Sequence, residues 1–394
     1  MPRVINFGAG PSALPDSVLH EAALGLLDFN GTGIGIAEIS HRSQEFAAFL
    51  DEVESLIRTQ LDVPSTHSIL FTQGGGTGQF SAVVLNLLAR HRLLYPNLAD
   101  DDPVMDYVLT GAWSRRASDE ARRLGGGRVH VAADARLHSR NLDHILTHDQ
   151  YEFSPNPALI YYCDNETVDG VQFSADPASP ASFPFHLLPQ GGLLPLVGDH
   201  SSSFMSRPIP RLADHAVVYA GAQKNIGPAG LTILIVRKDC LVDVDAAAKL
   251  GAFPVPLTMS YKSMADSSSM LNTPSIFPIY VSGLVLRRMQ KLGGVQHYEQ
   301  FNTRKADKLY AAIHEGEEKG LLKARVQEGS RSLMNVVFDV LSDETKFIAG
   351  AEAKGMKAIK GHRSVGGIRV SLYNAVTEEQ VDAMVAYIRE FIET

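Results

Sequence analysis

Cysteine is nearly absent: 394 residues hold two, Cys163 and Cys240. Two thiols so far apart provide neither a disulfide framework nor metal-ligand spacing, and a reducing compartment suits them. Long apolar runs are missing as well; none approaches the ~18 residues of a membrane span. The opening Met1-Pro2-Arg3-Val4-Ile5-Asn6-Phe7-Gly8-Ala9-Gly10 has no apolar core of a secretion signal, so a cytoplasmic protein is expected. Positive charge is in deficit, with 36 Lys and Arg against 44 Asp and Glu, a formal −8. That argues against nucleic acid or an anionic membrane as partner. Any anionic substrate must then meet a local basic cluster. There is one tryptophan, Trp113, and no internal repeat, low-complexity tract or heptad run. What remains, 45% hydrophobic and 20% charged, is an ordinary globular composition at a length suited to two or more domains.

Gly and Pro make residues 1–15 an extended arm. Asp16 is placed to cap a helix over 17–29, and an amphipathic helix is expected over 44–60. Strand signals follow at 68–72, 106–110, 128–131, 158–163, 193–198, 216–220 and 231–236, with a helix at 79–91. Such alternation implies an α/β fold with a largely parallel, doubly wound sheet. The Pro-, Ala- and Ser-rich segment 173–192 is expected as a long surface excursion. After Asn272-Thr273-Pro274 the texture changes to helices at 279–291 and 296–316, short strands near 334–340 and 368–371, and a last helix from Thr377. The expected division is an arm (1–15), a large domain (16–274) and a smaller C-terminal α+β domain (275–394).

Lys224 stands just beyond an apolar strand, between Gly221 and Gly227. The ends of such strands are where open α/β sheets place ligands, and a lysine amine there can form the Schiff base that pyridoxal phosphate requires. Alone, it equally reads as a solvated surface lysine. Asp199 ends another apolar strand, 25 residues earlier. It can pair with a pyridinium nitrogen or merely cap the Ser201-Ser202-Ser203 turn. Gly74-Gly75-Gly76-Thr77-Gly78 joins a strand to a helix start, a pattern that cradles phosphate or is simply a tight turn. It lacks the ending of an ATP-binding P-loop, and Ser81 stands where a dinucleotide fingerprint needs glycine. Trp113, just past the strand at 106–110, can stack on a flat ring or fill core. In Asn165-Glu166-Thr167 the Thr167 hydroxyl reaches the same sheet edge, for a cofactor oxygen or a turn. Two basic knots, His41-Arg42 and His362-Arg363 with Arg369, have the fork geometry that grips carboxylate and phosphate.

Taken together, these motifs resemble the phosphoserine aminotransferase family, pyridoxal-phosphate enzymes of fold type I. The resemblance runs from Asn6-Phe7-Gly8-Ala9-Gly10-Pro11 through Ile39-Ser40-His41-Arg42-Ser43, the 74–80 cradle, Ala222-Gln223-Lys224-Asn225-Ile226-Gly227-Pro228 and Leu271-Asn272-Thr273-Pro274 to the 361–369 element. It implies a large domain with a mostly parallel seven-stranded sheet, pyridoxal 5'-phosphate as cofactor, and a homodimer with shared sites. It further implies that Lys224 carries the cofactor and shuttles the proton, Asp199 pairs with the ring nitrogen, Trp113 stacks, and Thr167 bonds the ring hydroxyl. Gly76, Thr77 and Gln223 are implied for the cofactor phosphate, joined by Asn272 and Thr273 from the other subunit. His41 and Arg42 of the other subunit, with His362, Arg363 and Arg369, are implied for substrate anions. The implied reaction is amino transfer between L-glutamate and 3-phosphonooxypyruvate, giving O-phospho-L-serine and 2-oxoglutarate. Thr77 is a departure, since bacterial relatives often carry arginine there; the remaining basic residues matter the more. A cysteine desulfurase, an aminotransferase for uncharged substrates and a catalytically silent scaffold are the competing readings.

Overall fold

The computed structural model describes residues 3–99, 103–138, 142–190 and 192–393. Along the chain run β1 (Ile5–Asn6), α1 (Asp16–Gly25), α2 (Gln44–Gln60), β2 (His67–Thr72), α3 (Gly75–Leu94), β3 (Val104–Leu109) and α4 (Ala112–Leu124). Next come β4 (Arg128–Asp134), α5 (Ala135–His138), β5 (Leu159–Cys163), β6 (Leu196–Asp199), β7 (His215–Gly221), β8 (Thr232–Arg237), α6 (Val244–Lys249) and α7 (Tyr261–Asp266). The remainder is α8 (Ile276–Lys291), α9 (Gly294–Glu318), β9 (Leu322–Ala324), β10 (Asn335–Val340), α10 (Glu344–Ala353), β11 (Met356–Lys357), β12 (Ile368–Ser371) and α11 (Glu378–Glu393).

Seven strands form the large sheet in the order β2-β8-β7-β6-β5-β3-β4. Strands β4, β3, β5, β6 and β7 are parallel to their neighbours, and only β8 runs against β7 and β2. Every residue of β5, β6, β7 and β8 is buried, as strands with both faces covered must be. Alternation sorts their side chains. Val218, Ala220, Ile233 and Ile235 face α2 and α8 in one core layer. Val217, Tyr219, Leu234 and Val236 face α3 and α4 in the other. The expected strands are all found, with ends shifted by a few residues.

Helix α2 has the expected bounds; Ser43 caps it by accepting from the Phe46 amide. Helix α1 differs from its expectation. Pro15 occupies the cap without a side-chain bond, Asp16 lies inside the helix and pairs with Arg3, and the helix stops at Gly25, short of residue 29. The returning chain explains the stop: Ile36 N donates to Gly25 O at 2.8 Å, taking a carbonyl that another turn would need. Segment 173–192 also departs from the expected surface excursion. Phe173, Ala181, Phe183 and Leu188 are buried in a cluster with Tyr162 and Val337, so it is part of the core; Gly191 lies outside the described residues.

The C-terminal sheet is antiparallel, in the order β12-β10-β9, and packs with α9, α10 and α11. The N-terminal arm joins it: β1 pairs with β11, and Phe7 lies in this core. Helix α8 and the start of α9 (Val295, Tyr298) pack instead with α1 and α2. Lys305 on α9 is fully buried, its Nζ donating to the carbonyls of Leu372 (2.8 Å), Tyr373 (3.0 Å) and Val376 (2.9 Å). These carbonyls leave β12, and the lysine does for them what a further strand would. Lys305→Met should cost about 2 kcal/mol, taking roughly 1 for each of the Leu372 and Val376 carbonyls it orphans, since Tyr373 O keeps the Val376 amide; this is seen as a lowered urea midpoint, and an unchanged midpoint would refute the role.

Candidate active site

Strands β6 and β7 are adjacent and parallel, with Asp199 opposite Tyr219. Both therefore end at one sheet edge, and the turn after β7 brings Lys224 to the carboxylate at the end of β6. Lys224 is only 9% exposed. Its Nζ donates to Thr167 Oγ1 at 2.5 Å, and no carboxylate forms an ion pair with it among the described residues. Burial pushes its pKa below the usual lysine value, with Arg369 acting the same way against the opposing charge of Asp199, Cys163 and Glu166. The arm clamps the backbone here. Ser12 donates its amide to Gln223 O at 3.0 Å and its hydroxyl to Lys224 O. Gly10, at φ +122°, passes so close that a Cβ there would lie 3.3 Å from Lys224 Cγ.

Asp199 is buried with both oxygens engaged. Oδ1 accepts from the Ser201 amide at 2.9 Å. Oδ2 accepts from the Tyr219 hydroxyl at 2.9 Å and from that of Tyr161 at 3.4 Å. The two hydroxyls are 2.8 Å apart.

The glycine motif is the first turn of α3, which begins four residues before the expected helix. Gly74 and Gly75 take left-handed φ values of 97° and 62°. The Gly75 amide is bonded to Thr232 Oγ1 at 2.8 Å, which leaves the Gly76 and Thr77 amides as the free donors of the helix N-terminus. A Cβ built on Gly76 would lie 3.8 Å from Asp199 Oδ2 and from Ser201 Oγ. The cradle thus opens onto the carboxylate. The Gln223 side chain lies against Gly221 beside it, 2.5 Å from a Cβ built there.

Trp113 sits in the first turn of α4, a helix not expected from the sequence. Its ring centroid is 5.9 Å from Lys224 Nζ, and its Nε1 is buried without a partner. The Thr167 carbonyl accepts from Arg369 Nη1 at 3.1 Å, tying β12 to the lysine. His362 is half-buried; burial lowers its pKa, and the charges of Arg369, Arg116 and Arg363 add to that. Arg116 stacks on the outer side of the same helix turn, 4.8 Å from the Trp113 centroid.

One chain thus assembles Lys224, Asp199, Thr167, Trp113, Gly76, Thr77 and Gln223, with His362, Arg363 and Arg369 around them. Among the described residues, the side chains of the other four candidates form no hydrogen bond or ion pair with these. Arg42, Asn272 and Thr273 are exposed, and His41 is half-buried with an unpartnered Nε2. Of these, Thr273 approaches the cradle, its carbonyl accepting from Gln73 Nε2 at 3.5 Å. Asn272 lines a cavity of about 290 Å³ with Gln73, Gly74 and Gly78. Sequence reasoning missed Tyr161, Tyr219, Glu166, Asp169 and Arg116. For the tyrosines a signal existed: Tyr219 precedes Gly221 by two positions, so it shares the face of β7 that closes under Asp199.

These residues fit a flat, protonatable ring bearing an anionic tail. A buried amine with no ion pair among the described residues, a strand-end carboxylate, free helix-start amides facing it, and an aromatic wall with an orphaned N–H meet the parts of pyridoxal phosphate. The family model "Aminotransferase class-V" matches residues 4–384. A phosphoserine aminotransferase from Pseudomonas entomophila is 41% identical over 391 residues, 99% of this chain and 98% of that protein. Among solved structures, the phosphoserine aminotransferase of Bacillus circulans subsp. alkalophilus superimposes with a TM-score of 0.87 at 34% identity, over 99% of each chain. The PLP-bound phosphoserine aminotransferase of Trichomonas vaginalis does so with 0.84 at 32%, over 98% of this chain and 100% of that one. A lysine and an aspartate brought to one sheet edge beneath a tryptophan, in a chain matched along nearly its whole length, have one explanation: the chain belongs to the class-V aminotransferases.

Proposed function

We propose that the chain is a pyridoxal-phosphate-dependent phosphoserine aminotransferase. It moves an amino group reversibly between L-glutamate and 3-phosphonooxypyruvate, giving 2-oxoglutarate and O-phospho-L-serine, the phosphorylated precursor of serine. The observation that carries this reading is the buried Lys224 between Asp199 and Thr167, with His362, Arg363, Arg369 and Arg116 gathered on one side. A chain of net charge −8 that collects four basic groups beside one lysine has a dianionic substrate to hold.

When bound, pyridoxal phosphate supplies an aldehyde carbon that exchanges amines and a ring that draws electrons from the substrate's α-carbon. The protein does the rest. The Gly76 and Thr77 amides and Gln223 would hold the phosphate at the start of α3. Asp199, its oxygens oriented by the Ser201 amide and the Tyr219 hydroxyl, would hold a proton on the ring nitrogen. Lys224 Nζ, whose neutral form burial favours, would take the proton from the substrate's α-carbon and deliver it, from the same side, to the carbon that carried the aldehyde. Thr167 orients that amine, and Trp113 would keep water from one side of the ring. Arg369 grips the substrate α-carboxylate, and His362 and Arg363 the distal phosphate or side-chain carboxylate.

The exposed Asn272, Thr273 and Arg42, with His41, are assigned to the site of a second copy, so the working form is a homodimer; exposed Leu24, Leu27 and Ile34 supply apolar surface for it. Residues 16–274 carry the cofactor, 275–394 close over the substrate, and the arm 1–15 ties the two together. No helix among the described residues is long and apolar enough to cross a membrane, in keeping with a cytoplasmic enzyme. A desulfurase is disfavoured because burial raises the pKa of both thiols, Cys163 well above its ordinary value and Cys240 to about 12. Neither is a nucleophile near neutrality.

The test is turnover of glutamate with 3-phosphonooxypyruvate, followed as 2-oxoglutarate. Turnover confined to unphosphorylated 2-oxo acids would refute the assignment. Arg363→Ala should lower kcat/KM for the phosphorylated substrate roughly tenfold while barely changing that for glutamate. The modest size follows from the exposure of Arg363, which screens the pair. Equal losses for both substrates would place Arg363 elsewhere.

A further inference from the structure

Trp113 stands at the start of a helix that has no cap of its own. The N-cap is Gly111, which has no side chain to accept the free amides. Two carboxylates from the loop after β5 do this instead. Glu166 Oε2 accepts from the Trp113 amide at 2.9 Å. Its Oε1 accepts from the Ser114 amide at 2.8 Å and the Ser114 hydroxyl at 2.7 Å. Asp169 Oδ2 accepts from the Ala112 amide at 2.8 Å. The three successive amides of the turn that carries the indole are thus bonded to side chains more than fifty residues away.

Both carboxylates press on the same spot. A Cβ built on Gly111 would lie 2.5 Å from Glu166 Cδ and 2.6 Å from Asp169 Oδ2, so the two groups are themselves neighbours. Glu166 is fully buried. Two carboxylates crowded in an enclosed site do not both ionise readily.

We propose that Glu166 and Asp169 are positioning residues of the active site, a carboxylate pair that caps α4, shares one proton, and thereby sets where the Trp113 ring stands over Lys224. The charges around the pair agree with this role. Burial first, and then Asp169, raise Glu166 to about 7, against the lowering effect of its bonds to Ser114 and Trp113. Burial raises Asp169 as well, opposed by the Ala112 amide and by Arg136 and Arg325. Lys224, Cys163 and Tyr161 also feel the Glu166 charge. Because the folded state holds its proton above the usual carboxylate range, the pair stabilises the fold most on the acid side. That contribution falls as the pH rises from about 4.5 towards about 7.

The inference rests on Trp113 being the ring-facing residue, but its test does not rest on turnover. Trp113 is the sole tryptophan, so its emission and its quenching by acrylamide report on this one side chain, in the holoenzyme and after removal of the cofactor. In both forms the wild-type emission should shift with a midpoint near 7. Glu166→Gln, which matches shape but cannot ionise, should abolish that step and increase quencher access. Asp169→Asn removes the like charge and should move the midpoint downwards, which keeps the test decisive should Glu166→Gln fail to fold. Emission that stays flat between about pH 6 and 8 in the wild type, or titrates alike in wild type and Asp169→Asn, would overturn the proposal. Loss of the aminotransferase reading alone would leave these emission changes in place.

Discussion

Lys224→Ala is expected to lower kcat by at least about 10³-fold, within the range that removal of a positioned acid–base group brings, and to leave the fold intact. Both halves follow from the surroundings of Nζ. Nζ is buried and bonded to Thr167 Oγ1, and it is the amine assigned to move the proton at the substrate's α-carbon. Truncation also removes a buried amine that forms no ion pair among the described residues and whose desolvation disfavours its charged form. Hence the urea midpoint should hold or rise slightly. The backbone of the loop keeps its contacts, because Ser12 bonds the carbonyls of Gln223 and Lys224, not the side chain. Steady-state rates and urea denaturation of the same preparation separate the two effects. Turnover near the wild-type rate would remove Lys224 from the chemistry; an unfolded variant would give the lysine a structural role.

Asp199→Asn ranks second. The amide matches the carboxylate in shape and still offers groups to the Ser201 amide and the Tyr219 hydroxyl, so folding should survive. What it lacks is the charge that holds a proton on the ring nitrogen. Losing one preorganised electrostatic partner in a water-excluded site costs on the order of 10²–10³ in kcat. The cofactor's visible absorption should move as well, while KM changes little. A variant with wild-type kcat and an unshifted spectrum would show that Asp199 only caps the 201–203 turn.

Lys224 and Asp199 were legible because both lie at the ends of short apolar strands, and strand ends are local signals. Their neighbours were not. Helix α4 was missed because its cap comes from Glu166 and Asp169, in the loop after the neighbouring strand β5, while Gly111 gives no local start signal. Helix α1 was drawn too long because residues 29–36 return onto its end, which no propensity encodes. Residues 173–192 read as a surface excursion because the segment is rich in Pro, Ala and Ser; Phe173, Phe183 and Leu188 decide the packing, by filling the core beneath Tyr162. Tyr161 and Tyr219 looked like ordinary apolar strand residues. Only the register of β5, β6 and β7 brings their hydroxyls to one carboxylate. The basic residues of 362–369 were visible as a knot. Arg116, one turn beyond Trp113, was hidden until α4 existed.

Borohydride reduction of the yellow holoenzyme, followed by peptide mapping, tests the central claim most directly. The account predicts a pyridoxyl group on Lys224, in the peptide that contains Gln223 and Asn225, with no other lysine labelled in proportion to lost activity. A purified protein that takes up no pyridoxal phosphate, or one whose label falls on a different lysine, would contradict it.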